Sequence, residues 1–564
     1  MKKIFNFIKS LSLTQYFFTL VILGYLPILV FGYFIQDDYT ILGLTELNYF
    51  DAVKTVCHVN NNRPLSCIYH ALLSRLPPIF QIYFLFSLSV YFIFIYIVFR
   101  IYDFILDDIY IKKIFLTFLV FPFFSYTIIY SPGMQSMGIL SLIFWSISLF
   151  FLKKYIYKSF FFDLFLSYFF LVTMFLTYES AAPLIGLSLF FPLFFKNKKK
   201  IFFTNIILTF LTLVLIFVLQ KEIFPNLFNQ DLSRIKLGLQ DYEKIIYLII
   251  VNSVLTFNIF AHSLELFARS LYNIFSSYNL ILLLQLLLMV SFFYLSIHNK
   301  KKLNCHRDYY FLSIFLFSIT SVFILNILMH SIANTGLEFT QYNNRALVSI
   351  SCIFSLSAVF FYKFGAFRSK FLFNFFCIIL FTILSANFFF FQNNLIKERF
   401  LAKELLRDAK QLINKNYALD SKYKNNVNFF IYDRPNVEEI FSYNSLDYFR
   451  VIEETENNVN FFLNENKFCN LEYYNPYIKI PLLNEENKLN LFYYSNNKLT
   501  IFLENIKYKD FRNNLENIIK CNYKEISEKS SNIIQKSVYL DKRFESFFLQ
   551  VIKKIYFNLW VKNY

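Results

Sequence analysis

Apolar runs recur along the first 391 positions, each closed by a cluster of charged or amide side chains. A hydrocarbon layer about 30 Å thick requires such runs, of roughly 20 residues, from a crossing helix. They predict eleven spans: Tyr16–Ile35, then 79–100, 114–130, 135–152, 160–178, 181–195, 201–220, 278–297, 309–330, 346–362 and 371–391. The start, Met1-Lys2-Lys3 with Lys9 ahead of an apolar run, has the outline of a signal peptide. That run is too long for one and lacks a small-residue cleavage site, so it reads as a retained first span. Residues 244–261 are apolar enough to cross. Counting them as one span would carry Lys300–Arg307 to the outer face and reverse everything after it. Interfacial helices or a helical hairpin across 241–275 are expected instead, and the amphipathic stretch HSLELFARSLYN suits the first option.

Beyond residue 391 the pattern changes to Asn, Lys and Glu. Ile396, Phe400, Leu405, Ala409 and Leu412 recur every three to five positions and predict an amphipathic helix. Short alternating runs follow at Val427–Tyr432, Asn458–Leu463, Leu489–Tyr494 and Leu499–Leu503, with Asn496-Asn497 as a turn. The expected fold is an α-helical polytopic membrane protein with about eleven transmembrane helices plus interfacial helices (1–391). A small C-terminal extracytoplasmic α/β domain (392–564) completes it. No internal repeat is evident.

Composition supports that class and removes others. Hydrophobic residues make up 57% of the 564 and charged residues 16%, where a soluble chain carries about a quarter charged. The 79 Phe and 41 Tyr accompany an Ile, Lys and Asn excess of the kind an AT-rich coding sequence produces, so they are not read as a ligand cage. The net charge of +17 would suggest nucleic acid if it formed one soluble face. It does not: residues 1–391 hold 29 Lys and Arg against 16 Asp and Glu, in short clusters beside apolar runs. With the N-terminus inside, the inner loops hold 20 basic residues and the much longer outer loops nine. The implied location is the inner (plasma) membrane, multi-pass, with the N-terminus cytoplasmic and the C-terminal domain outside.

That threading puts Cys57, Cys67, Cys469 and Cys521 outside, Cys305 in the cytoplasm, and Cys352 and Cys377 within spans. Outside the cytoplasm disulfides can form; buried or free thiols are the equal alternative.

Charge at the edge of a bilayer is costly and marks candidate chemistry. Asp37 and Asp38 directly follow the first span in FGYFIQDDYTIL. They read either as interfacial acids closing a helix end or as a pair in which repulsion raises one pKa. Arg63 and Pro64, in NNNRPLSCIYHALLSRL, open a predicted helix in the same outer loop. An arginine there can grip a phosphate or carboxylate at two points, or pair with Asp51 or lipid headgroups.

Asp37-Asp38-Tyr39 followed by Asn62-Arg63-Pro64-Leu65 resembles membrane glycosyltransferases of the GT-C superfamily. The pattern is most similar to the GtrII-type bacterial glucosyltransferase family known from O-antigen modification of lipopolysaccharide. Asn62 stands where that pattern has Gly, and Ile41 where it has a basic residue. The motif covers about 40 residues, and the many-span layout extends the likeness loosely to residue 391. The resemblance implies transfer of a sugar, glucose by that likeness, from a polyprenyl-phosphate donor to a glycan or lipid-linked acceptor of the cell envelope. It implies one of Asp37 and Asp38 as general base, the other supporting it, and Arg63 as the phosphate ligand. Adjacent carboxylates also suit a divalent ion, although relatives with lipid-phosphate donors often work without one. The partners are then the donor, the acceptor and membrane lipids, with no nucleic acid.

Secondary candidates on the same face are Glu179 in TYESAAP, His330 at a span end and Arg345 in QYNNRAL. Arg345 is a second candidate phosphate ligand; each also reads as a boundary anchor or turn residue. No GxxxxGKS, HExxH or nucleotide-binding glycine fingerprint occurs, which argues against an ATP-driven pump or a nucleotide-sugar enzyme. A surface-polysaccharide polymerase and a lipid-linked oligosaccharide flippase or transporter are the alternatives. A transporter would be expected to carry mid-membrane charges and two related halves, neither of which the sequence displays.

Overall fold

Apart from isolated positions, the computed structural model describes residues 8–32, 47–59, 63–195, 198–224, 242–257, 263–271, 280–297, 309–332, 347–363, 370–416 and five strands between 427 and 507. The chain divides into two compact units. One comprises Met1–Val30, Leu47–Asn393 and Leu540–Tyr564; the other, Phe31–Glu46 and Asn394–Tyr539.

The helices are α1 (Leu13–Phe31), α2 (Tyr49–Val59), α3 (Pro64–Leu73), α4 (Phe80–Ile101), α5 (Ile109–Val120), α6 (Ser136–Lys158), α7 (Phe161–Thr177), α8 (Ile185–Phe190), α9 (Lys199–Val218), α10 (Tyr242–Phe257), α11 (Leu280–Ile297), α12 (Tyr309–Ile332), α13 (Val348–Lys363) and α14 (Lys370–Asn416), the last divided between the two units at Asn393. Six helices among the described residues are long and apolar enough to cross a membrane, not eleven: α1, α4, α6, α9, Tyr309–Ser331 of α12 and Phe371–Asn393 of α14. Phe161–Thr177, Leu282–Ile297 and Val348–Phe361 are apolar but shorter. On α9, Phe203, Ile207, Phe210 and Phe217 are all more than 60% exposed, as hydrocarbon-facing side chains would be.

Two predicted spans are broken, and proline is the cause in both. The run 114–130 is helical only to Val120; Phe121 is extended before Pro122, and one helical turn returns at Thr127–Tyr130. Proline lacks an N–H and pushes its predecessor out of the helical region. The break strands the last carbonyls of α5 in an apolar interior, where unsatisfied backbone groups are expensive. Neighbouring hydroxyls answer them one by one. Ser355 donates to Phe118 O at 2.8 Å, Tyr91 to Leu119 O at 2.7 Å and Tyr25 to Val120 O at 2.7 Å. The run 181–195 is a 3₁₀ turn (Glu179–Leu184), α8, and a second 3₁₀ turn (Phe191–Phe194), with Pro183 and Pro192 in the turns. Asn205 Nδ2 caps this break, donating to Ser188 O at 2.9 Å and Leu189 O at 3.2 Å.

Small and amide side chains join the helices, as is usual where lipid removes the hydrophobic drive for association. A Cβ on Gly186 of α8 would lie 2.8 Å from Val322 N of α12, so only glycine permits that approach. Gln392 of α14 donates to Gly24 O of α1 at 2.9 Å, and Gln285 of α11 reaches Gln392 Oε1 at 3.1 Å. Of the ambiguous segment 244–261, residues 244–257 lie in α10, which packs along α12 with Asn252 donating to Ser331 Oγ at 3.0 Å; residues 258–261 lie outside the described residues.

The amphipathic helix expected after residue 391 is not separate. It continues the last span in α14, which runs 47 residues. The second unit holds β1 (Val427–Asp433), β2 (Phe449–Arg450), β3 (Val459–Phe462), β4 (Lys488–Ser495) and β5 (Lys498–Lys507), ordered β2-β3-β1-β4-β5. Four strands fall on the predicted runs; β2 was not foreseen. β1 lies parallel to both β3 and β4, and β4 pairs antiparallel with β5 across the predicted Asn496-Asn497 turn, Ser495 opposite Lys498. Among the described residues no helix follows Asn416, so the sheet is shown and the expected α/β domain is not.

Candidate functional site

Arg63 is the residue immediately before α3, with Pro64 in the first helical position, where a missing N–H costs nothing. Three contacts fix α3. A Cys57–Cys67 disulfide ties it to α2, Tyr69 donates to Ser136 Oγ of α6 at 3.0 Å, and Tyr83 of α4 donates to Leu73 O at 2.8 Å. Arg63 is therefore held in place where α3 begins.

Across from it, α7 ends at Thr177 and the chain turns into the 3₁₀ segment at Glu179. Arg63 Nε donates to Glu179 Oε2 at 2.7 Å and Nη2 to Oε1, a two-point ion pair. The guanidinium also lies over the Tyr178 ring, its Cζ 4.7 Å from the centroid, a stacked cation–π contact. The pair is only partly open to solvent, with side chains 22% and 30% exposed. Burial pushes the Glu179 carboxyl up, but the charge and hydrogen bonds of Arg63 outweigh it, and His330 adds a smaller pull in the same direction; the net shift is down. Glu179 is thus an ionised anchor for Arg63, poorly suited to take a proton.

The structure brings Arg63 and Glu179 together, and α12, near whose end His330 lies, packs on the Glu179 turn. Asp37, Asp38 and Arg345 lie outside the described residues. Sequence reasoning missed Tyr178, since an aromatic beside an acid carries no signal in a chain so rich in aromatics. It also missed Ser180, whose buried Oγ has no hydrogen-bond partner among the described residues. Of the cysteine alternatives the structure shows Cys57–Cys67 bonded and Cys352 and Cys377 buried and free; Cys469 and Cys521 lie outside the described residues. Among the described residues no three His, Cys, Asp or Glu side chains gather as a metal site would require.

Comparison with protein-family models, curated proteins and solved structures yields no match.

Proposed function

We propose that the chain is a membrane glycosyltransferase that moves a sugar from a polyprenyl-phosphate donor to a glycan or lipid-linked acceptor outside the cytoplasm. The observation that carries this reading is an arginine oriented by a two-point pair to Glu179 at the N-terminus of α3, at one end of an apolar helix bundle. The guanidinium N–H groups beyond the two given to Glu179, with the positive end of a helix dipole, favour an anionic phosphate. A donor carried in the bilayer would meet them at that depth. The Cys57–Cys67 disulfide supports an extracytoplasmic setting for this end, because thiols stay reduced in the cytoplasm.

In the reaction, an acceptor hydroxyl oxygen bonds to the sugar's anomeric carbon as the bond from that carbon to the phosphate oxygen breaks. The hydroxyl proton passes to the carboxylate of Asp37 or Asp38, and the electron pair leaves on the lipid phosphate. Arg63, with Arg345 as second candidate, stabilises the charge that develops there. Glu179 keeps Arg63 in place.

The test is to replace Asp37 and Asp38 singly by Asn and compare the sugar composition of the surface glycan. Loss of the added sugar in at least one variant is expected. Full transfer by both, in folded protein, would end the carboxylate mechanism.

A further inference from the structure

At the end of the bundle remote from Arg63, α4 and α6 enclose a cleft of about 720 Å³. These helices are 22 and 23 residues long, so the two ends stand about 33 Å apart, close to the thickness of a hydrocarbon core. Exposed Tyr96, Tyr157, Phe160 and Phe161 ring this end, each more than half accessible, as aromatic side chains do at a membrane–water boundary.

The cleft is amphipathic. One wall is Ile97, Ile147, Phe150 and Phe151; the rim carries Arg100, Lys153, Lys154 and Lys158 against a single acid, Asp103. Asp103 is taken by Lys153, whose Nζ lies 2.5 Å from its Oδ1 and 2.8 Å from Arg100 O. The other three cations form no ion pair among the described residues. Arg100 is steered by Tyr96, donating from Nε and Nη2 to its hydroxyl at 3.1 and 3.0 Å. Lys154 lies over Phe150 and Phe151, its Nζ 4.9 and 5.1 Å from their ring centroids. Charge is thus held directly above an apolar wall, and among the described residues the one carboxylate lining the cleft, Asp103, is paired with Lys153.

We propose that this cleft binds an anionic phospholipid, its phosphate held by Arg100, Lys154 and Lys158 and its first methylenes lying on Phe150, Phe151 and Ile147. A zwitterionic lipid brings its own ammonium to a rim already rich in cations and is disfavoured. A free phosphate leaves the aromatic wall wet. The cleft is separate from the Arg63 site and stands whether or not the chain transfers sugars.

The experiment is native mass spectrometry of the full-length protein in detergent, offered equal phosphatidylglycerol and phosphatidylcholine of the same chains. Preferential retention of phosphatidylglycerol is expected. It should fall about fivefold for each lysine in Lys154→Gln and Lys158→Gln, and persist in Lys154→Arg/Lys158→Arg. Equal retention of the two lipids, or no loss in the Gln variants, would overturn the proposal. Millimolar inorganic phosphate should leave the lipid bound; displacement by it would assign the cleft to free phosphate and refute the lipid. Both positions are on the cleft rim, and Trp145 fluorescence against temperature verifies that each variant is folded.

Discussion

Arg63 and Glu179, 116 positions apart in the chain, meet as a two-point ion pair where α3 begins and α7 has just ended. Arg63→Lys keeps the charge and loses the fork. Loss of such a charge-assisted contact is worth about 1–3 kcal/mol, so under the proposed function sugar transfer should drop roughly ten- to a hundredfold. Glu179→Gln should act in the same direction, and the double variant should cost less than the two single losses combined. A cycle measured on surface-glycan composition checks this; strict additivity would mean that Glu179 does not act through Arg63.

The same pair sets an acid limit on stability. The Glu179 carboxyl is shifted down in the folded protein. Its contribution is therefore complete above the ordinary glutamate pKa of about 4.3 and disappears as pH falls through the lowered folded value. Thermal stability in detergent should change little from this group between about pH 5 and 8 and decline below about pH 4. In Glu179→Gln that share of the acid decline should vanish. An unchanged acid profile in the variant would refute the assignment.

The Cys57–Cys67 bridge closes a loop with a sequence separation of 10. By loop entropy such a bridge contributes about 2–3 kcal/mol. Cys57→Ser should lower the melting temperature and reduce transfer, since the bridge helps position α3 and so Arg63. Thiol titration of the denatured, unreduced wild type should leave both cysteines unlabelled.

Gly186→Val should destabilise the bundle by about 1–3 kcal/mol, the usual cost of overpacking. The added Cβ would meet Val322 N at 2.8 Å and Ser321 C at 3.0 Å, and backbone atoms cannot swing aside. Thermal unfolding followed by tryptophan fluorescence measures the change.

On the proposed topology, in which the sequence puts 20 basic residues in inner loops against nine outside, the C-terminus is expected outside the cytoplasm. A reporter active only in the cytoplasm, fused after Tyr564, should remain silent.

Local regularities were legible because they depend on neighbours in the chain. A bilayer demands long apolar runs, and α1, α4, α6, α9 and parts of α12 and α14 answer it. Alternation with period two marked β1, β3, β4 and β5, and Asn496-Asn497 the β4–β5 connection. Composition alone did not separate a continuous span from a broken one. Pro122, Pro183 and Pro192 were visible in the sequence. The hydroxyls and amide that make the two broken segments tolerable, from Tyr25, Tyr91, Ser355 and Asn205, come from distant positions.

By itself, then, the sequence determined a helical membrane protein, the runs that become its helices and strands, and Arg63 as a residue of interest. The tertiary structure decided what Arg63 touches. Glu179 read as one boundary acid among several, and only packing of α3 beside the end of α7 brings its carboxylate within 2.7 Å of the Arg63 guanidinium. Hydrophobic spacing is written into adjacent residues. An ion pair spanning 116 positions depends on where whole helices come to rest, because charge acts through space and not along the chain.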